Sequence, residues 1–344
     1  MTPAPILVLI VNYRTAALTV QAIVSILPEV RARGDAHILV VDNGSADGSA
    51  SVLADAIDQL DISSICSLLA LEDNHGFSAG NNAGLEHYRQ HTARGGVEAW
   101  PAYTWILNPD TIANPRALGA LVDFMTSHPH AGLCGGRCLR PDGAVRHTAF
   151  RFHSPMSEFL TSLDFGPLRR LLRRYDVVMP ISDHPYRAEW VSGAHMMIRS
   201  AVFDRIGLLD PGYFLYFEET DFCARAAEAG FEAWHVPASR IVHLCGQSTG
   251  LTDRRPAQPR PRYWFASRVR FFVRHQGRLK THLANLLWLC ASPVGTVIAK
   301  VRGRPNQNPP RFWRDFLRHN YGRNGLMYRP TDPPPGKAAS LNRR

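Results

Sequence analysis

Residues 6–44 read ILVLIVNYRTAALTVQAIVSILPEVRARGDAHILVVDNG. Ile6–Val11 is an unbroken apolar run rich in β-branched side chains, the pattern of a strand buried on both faces. Ala16–Val30 follows as a helix, and His37–Val41 is a second strand that stops at the turn signal Asp42-Asn43-Gly44. Strand, helix and strand in so short a span imply a parallel pair joined by a crossover.

The rhythm continues downstream. Val52, Leu53, Ala56, Ile57 and Leu60 recur at helical spacing, Ser64–Leu71 reads as a strand, Phe77–Gln90 as a helix and Tyr103–Leu107 as a strand. Asn114-Pro115 gives a helix N-cap with Pro at the first position, ahead of Leu118, Leu121, Val122 and Met125 on one face. The expected fold class is α/β: a doubly wound, mostly parallel sheet with helices on both faces. Residues 141–189 break the rhythm with prolines and the basic cluster Arg169, Arg170, Arg173 and Arg174, and read as an insertion or flap over the sheet edge. Order returns with a strand over Trp190–Ile198, the aromatic run Tyr213–Phe217, a helix from about Glu219 to Ala229, and strands Glu232–Val236 and Arg240–Leu244. The body is expected to fill residues 1–252, followed by a Pro/Arg-rich linker at 253–262. A helical tail at 263–344 has helices over Tyr263–His275 and Leu279–Lys300, and its end is loose.

The chain has 344 residues, 45% hydrophobic and 20% charged, which excludes general disorder. Its six cysteines form no C-x-x-C pair, which argues for reduced thiols in a cytosolic protein rather than a disulfide scaffold. The net charge of +10 hides a split: residues 1–253 carry 19 Lys+Arg and 27 Asp+Glu, whereas residues 254–344 carry 20 and 2. The body is acidic and the tail basic. No basic n-region or cleavage site accompanies the apolar N-terminal run. Thr281–Ala299 is the longest uncharged stretch, and it is polar for a spanning helix.

In parallel sheets ligands bind at the carboxyl ends of strands. Those ends carry Asn12-Tyr13-Arg14, Asp42-Asn43-Gly44-Ser45, Asn74-His75-Gly76-Phe77 and Asn108-Pro109-Asp110, polar at each of four successive positions. Dinucleotide-binding, P-loop and nucleophile-elbow motifs are absent. The chemistry falls to carboxylates. Asp110 sits on a turn at a strand end, and Glu218, Glu219 and Asp221 crowd a helix start behind the aromatic run. Burial beside like charges raises a carboxylate pKa and suits it to general-base work near neutral pH. Asp221 reads instead as an i,i+4 ion-pair partner of Arg225.

Val11-Asn12-Tyr13, Val40–Ser49 (VVDNGSADGS), Asn74–Gly84 (NHGFSAGNNAG), Leu107–Asp110 (LNPD), Trp190–Ala194 (WVSGA), Tyr216–Phe222 (YFEETDF) and Val242-His243 occur in order over residues 5–250. Together they resemble the family 2 inverting glycosyltransferases of the GT-A fold, in the rhamnosyltransferase-like branch. The resemblance implies that Asp42 binds the base of a sugar nucleotide, with Val11 and Asn12 beneath it. Asn74, Gly76 and Asn82 would line the nucleotide–sugar region. Asn108-Pro109-Asp110 stands where the family has its D-x-D metal motif, with Asn108 in place of the first carboxylate. Asp110 and His243 would hold Mg²⁺ or Mn²⁺. Glu219 matches the family's base position with Glu218 beside it, and Trp190 and Gly193 would shape the acceptor side.

The implied partners are a nucleoside-diphosphate sugar, dTDP-rhamnose favoured, and a saccharide or lipid-linked saccharide acceptor in cell-envelope polysaccharide synthesis. A sugar nucleotidyltransferase is the alternative enzyme, but strand one is not followed by the Gly-rich basic loop that would hold a triphosphate. A nucleic-acid or glycan-binding module is the non-enzymatic alternative; no nucleic-acid motif supports it. Trp264, Phe265, Phe271, Phe272 and Trp288 among arginines suggest an interfacial helix, with Arg268 interrupting the apolar arc. The expected location is cytoplasmic, peripheral on the inner face of the plasma membrane.

Overall fold

The computed structural model describes residues 6–91, 100–244, 258–304 and 308–322. Its strands are β1 (Ile6–Asn12), β2 (Ala36–Asn43), β3 (Cys66–Leu71), β4 (Tyr103–Leu107), β5 (Thr111–Ala113), β6 (Ala131–Leu139), β7 (Val145–Arg146), β8 (Ala149–Phe150), β9 (Tyr186–Ala188), β10 (Trp190–Val191), β11 (His195–Arg199) and β12 (Glu232–His243). Its helices are α1 (Ala16–Arg33), α2 (Ser49–Gln59), α3 (Phe77–His91), α4 (Ala117–Ser127), α5 (Pro155–Leu163), α6 (Gly166–Leu171), α7 (Ser200–Ile206), α8 (Glu218–Glu228), α9 (Arg262–Val301) and α10 (Phe312–Tyr321).

The main sheet runs β3-β2-β1-β4-β11-β6-β12-β5. β3, β2, β1 and β4 are parallel, as are β6 and β12, while β11 enters antiparallel between β4 and β6. The alternation of β1 shows why helices cover both faces. Ile6, Val8 and Ile10 pack with Ile23, Ile26 and Val30 of α1, Leu53 of α2 and Leu121 of α4. Leu7, Leu9 and Val11 face the other way, toward Leu85 of α3, Phe203 of α7 and Phe222 of α8. Each such side chain, fully buried, contributes roughly 1.5–3 kcal/mol.

Three local expectations differ. The strand expected over Trp190–Ile198 is two, because the chain leaves the sheet at Ser192-Gly193-Ala194, with β10 pairing β8 and β11 pairing β4. The two strands expected after Glu232 are one, β12, with a register irregularity between Val236 and Arg240. The helix expected at Asn114-Pro115 begins later, at Ala117. Its free N–H groups at Leu118 and Gly119 are capped by the Glu29 carboxylate from α1, at 3.1 and 2.6 Å.

Residues 141–189 are built of short elements. β7 pairs β6, β9 pairs β12, and α5 packs along α9. The α9 helix is broken at Gly277, whose φ of 78° no L-residue adopts without strain. Its first half is pinned to the body by ion pairs. Arg268 binds Glu158 at 2.6 Å, Arg270 and Arg274 bind Asp210 at 2.8 and 2.7 Å, and His275 reaches Asp221 at 2.8 Å. Part of the charge split therefore closes within the molecule. The aromatic side chains read as membrane-facing are placed otherwise. Phe265, Phe271, Phe272 and Trp288 are buried, against Tyr213 and Ala224 of the body or Phe312 and Phe316 of α10. Arg268, which interrupts their arc, is only 1% exposed; it donates to Glu158 and to Asn285 Oδ1 and lies over the Phe272 and Phe316 rings. The first half of the expected linker, residues 253–257, and the expected loose end lie outside the described residues.

Candidate active site

The strand ends meet along one rim. At the first two, Asn12 and Asp42 are both buried, and Asn12 Nδ2 donates to Asp42 Oδ1 at 2.6 Å. Thr15 and Thr19 hydroxyls occupy Asn12 Oδ1 at 3.1 and 2.8 Å, so the amide is fixed as a brace for the carboxylate. Ser45 adds its hydroxyl to Asp42 Oδ1. Val11 is buried below, where a Cβ on Gly80 would come within 3.0 Å of it.

The third strand end is held by Asn43, whose amide donates to Asn74 Oδ1 and the Gly76 carbonyl, each at 3.1 Å. Asn74 Oδ1 also accepts from Gly76 N–H at 2.8 Å. Gly76 has a φ of 97°, and a Cβ there would lie 2.4 Å from the Phe214 carbonyl oxygen. Only glycine lets this loop touch the aromatic run, and Phe77 N–H donates to that same carbonyl at 2.7 Å. Asn82 braces a neighbouring loop. Its amide nitrogen donates to Leu209 O at 2.8 Å and its oxygen accepts Leu209 N–H at 3.2 Å, so it serves as a strut to the loop before Asp210.

Two residues past Phe214 the backbone turns sharply. Tyr216 and Phe217 have φ of 71° and 67°, left-handed conformations that bulky residues adopt only under constraint. This turn starts α8 and delivers Glu218 and Glu219. Glu218 is buried and Glu219 is partly open. Each keeps one carboxylate oxygen, Oε2, with no hydrogen-bond partner. Burial pushes the Glu218 carboxyl well above the usual carboxylate range, reinforced by the charge of Glu219. Burial also raises Glu219, opposed by N–H groups at Gly193 and Thr220 and by nearby His153. Gly193 is close enough that a Cβ there would lie 3.3 Å from Glu219 Cβ. Asp221 is an ion-pair residue, as its spacing indicated: it binds Arg225 at 2.8 Å and accepts from Tyr213 Oη at 3.2 Å.

From Gly193 the rim passes to the fourth strand end, where Asn108 N–H donates to Ala194 O at 3.0 Å. Asp110 Oδ1 lies 3.1 Å from His243 Nε2, and the Asn108 amide nitrogen lies 3.5 Å from the same ring nitrogen. Leu244 N–H donates to Asp110 O at 2.9 Å and closes this corner. Among the described residues no group of three or more His, Cys, Asp and Glu side chains gathers as a metal cage. Trp190 is half-buried, stacked 4.2 Å from Phe150, with its indole N–H on Arg151 O at 2.9 Å. His153 stands between Trp190 and Phe217, at ring distances of 6.1 and 5.2 Å. Sequence reasoning passed over His153 because it lies in the stretch without periodicity. It passed over Asn43 because a turn asparagine looks like any other.

Residues 3–267 match the model of glycosyltransferase-like family 2, and the chain belongs to that family. N-acetylglucosaminyl-diphospho-decaprenol L-rhamnosyltransferase of Mycobacterium tuberculosis is 26% identical over 275 residues, 72% of this chain and 82% of the relative. Rhamnosyltransferase WbbL of Escherichia coli is 27% identical over 171 residues, 49% of this chain and 61% of that one. In fold the chain resembles a mannosyltransferase of Pyrobaculum calidifontis solved with GDP-Man and Mn²⁺, with a TM-score of 0.53 at 14% identity over 87% of this chain and 75% of that one. The fold is that of GT-A glycosyltransferases, and the protein is a glycosyltransferase. The nucleotidyltransferase and binding-module alternatives fall with that assignment.

Proposed function

We propose that the chain transfers a hexose, with dTDP-rhamnose as the favoured donor, to a hydroxyl of a lipid-linked saccharide, with inversion at the anomeric carbon. The observation that carries this reading is the single rim joining Asp42, Asn74 and Gly76 to Glu219 and to Asp110 with His243. The Mycobacterium tuberculosis relative is named for L-rhamnose and for a sugar diphosphate on decaprenol, which supports both the donor and the lipid-linked acceptor. The product would enter cell-envelope polysaccharide, made at the inner face of the plasma membrane.

Asp42, braced by Asn12, takes the N–H edge of the base as an acceptor. The loop at Asn74–Gly76 borders the nucleotide–sugar region. Asp110 and His243 fit a divalent cation, Mg²⁺ or Mn²⁺, as an incomplete donor pair: an ion held by only two side chains completes its shell with water and diphosphate oxygens. Such an ion would neutralise charge developing on the leaving diphosphate. Glu219, partly open beside Gly193, takes the proton of the attacking acceptor hydroxyl. Glu218, the more deeply buried of the two, stands beside it, and burial together with the charge of Glu219 disfavours its ionised form. Trp190 and Gly193 border the acceptor, the indole face suiting a sugar ring.

The test is transfer from a panel of nucleoside-diphosphate sugars to a polyprenyl-diphosphate-linked N-acetylglucosamine, with and without divalent cation. Rhamnosyl transfer from dTDP-rhamnose is expected. Transfer of another hexose, or from another nucleotide, would replace the donor named here.

A further inference from the structure

We infer that the second half of α9 docks the enzyme onto an anionic lipid surface through one apolar stripe. Leu279, Leu283, Leu286, Val294, Val297 and Val301 are all exposed, Leu279 at 84% and Val301 at 81%. With Cys290, also exposed, their spacing is four, three, four, four, three, four. At about 100° per residue they fall within an arc of roughly 80°, along a helix length of about 33 Å. The opposite face packs against the protein, and it is the more polar one: Thr281, Ala284, Asn285, Trp288, Ser292 and Gly295 are buried. Asn285 accepts from Arg268 and donates to Asn320, and a Cβ on Gly295 would lie 2.4 Å from the Ser162 carbonyl. The helix is inside-out for a water-soluble body. Because its polar face is engaged by α5 and α10, it lies along the molecule's surface.

Charge identifies the occupant. No Asp or Glu occurs between Arg262 and Arg314. Exposed Arg278 and Lys280 stand at one end of the stripe, and exposed Lys300, Arg302 and Arg304 at the other. Arg302 lies over the Phe165 ring, 4.9 Å away, which brings α6 beside that end. There Arg170, Arg173 and Arg174 are exposed around Leu171, itself 78% exposed. A second copy of the chain would meet like charges in either orientation, with no acidic residue on the helix to answer them. Anionic headgroups answer all of them, and the leucines and valines enter the acyl boundary.

The stripe begins close to the site. Gln276 donates to the His153 carbonyl, three residues before Leu279, and the His153 ring faces Trp190 and Phe217. The surface would hold the acceptor border of the pocket near the leaflet that carries a lipid-linked acceptor. Its biological purpose rests on the proposed function; its geometry does not.

The full chain should sediment with vesicles of phosphatidylglycerol and phosphatidylethanolamine, weakly with phosphatidylcholine alone, and less at high salt. Leu283→Glu with Leu286→Glu replaces only exposed side chains. It should lower vesicle partition on the order of 100-fold, leaving thermal unfolding and transfer to a soluble acceptor unchanged. Full-chain protein that ignores the anionic vesicles overturns the inference. So does a double variant that binds them as wild type but splits a dimer into monomers. If vesicles bind and no sugar is transferred, the functional reading fails and this surface stands.

Discussion

Asp110 and His243 are 133 residues apart in the chain, yet Asp110 Oδ1 and His243 Nε2 lie 3.1 Å apart at the end of the sheet. β5 and β12 bring them together, pairing antiparallel with His243 opposite Thr111. The two side chains offer one carboxylate and one imidazole to the same small volume.

We predict that Mn²⁺ with a nucleoside diphosphate raises the unfolding temperature of the wild type. Asp110→Ala should abolish that shift, and His243→Ala should reduce it. Differential scanning fluorimetry with and without EDTA reads both. An undiminished shift in Asp110→Ala would remove the pair from metal binding.

Gly76 is the contact between the Asn74–Gly76 loop and the strained turn that carries the carboxylates. Gly76→Ala places a Cβ 2.4 Å from the Phe214 carbonyl oxygen at a φ of 97°. The strain should cost about 1–3 kcal/mol of stability. Since the loop and the Phe214 segment must part, donor affinity and transfer rate should fall together. Urea unfolding and calorimetric titration with the donor check this; a variant with normal stability and affinity would contradict it.

Arg268 and Glu158 form a nearly dry pair that ties α9 to α5. Replacing one partner alone leaves a buried charge, so Arg268→Met should cost about 3–5 kcal/mol. Replacing both, with Glu158→Leu added, should recover much of that loss. The charge of Arg268, with His153 beside it, outweighs burial and holds the Glu158 carboxyl down at about 2. A depressed carboxylate contributes stability that is present above its unfolded value of about 4.3 and is lost as pH falls toward 2. His195 works in a higher window. Burial lowers it to about 3, so stability should decline as pH drops from about 6.5 toward 3, where the unfolded imidazole is charged and the native one is not. Thermal unfolding across these windows, in wild type and in the Arg268 and Glu158 variants, separates the two.

Much of the fold was legible because the first strands alternate their contacts between two helical layers while reading as unbroken apolar runs. The polar strand ends were legible for the same reason: they interrupt those runs at the rim. What escaped depended on partners far away in sequence. The α4 cap comes from Glu29, about 90 residues earlier, so Asn114 looked like the better candidate. Asn82 carries a family-like motif, yet it bonds Leu209, 127 residues on. In α9 the aromatics beside arginines suggested a lipid face, but acidic residues in the body receive those arginines and draw the rings inward. Arg268 inside the apolar arc was the sign, since a buried arginine demands a carboxylate and Glu158 supplies it. The exposed leucine stripe was obscured because sequence alone does not say which side of a helix faces the protein.

The proposed role of Glu219 is to take the acceptor proton. Its carboxyl is raised by burial, so the protonated, inactive form persists above the ordinary carboxylate range and the rate should fall as pH drops through that raised value. The most direct measurement is the transfer rate of Glu219→Gln beside its donor affinity, with Glu218→Gln and Asp221→Asn in parallel. General-base catalysis is worth typically 10²–10⁴-fold, so Glu219→Gln should lose about that factor, and the acidic limb of the pH profile with it, while binding donor as wild type. Glu218→Gln should lose less, and Asp221→Asn should lower stability rather than rate. Wild-type transfer by Glu219→Gln, with Glu218→Gln or Asp221→Asn inactive yet folded, would assign the proton transfer to another carboxylate.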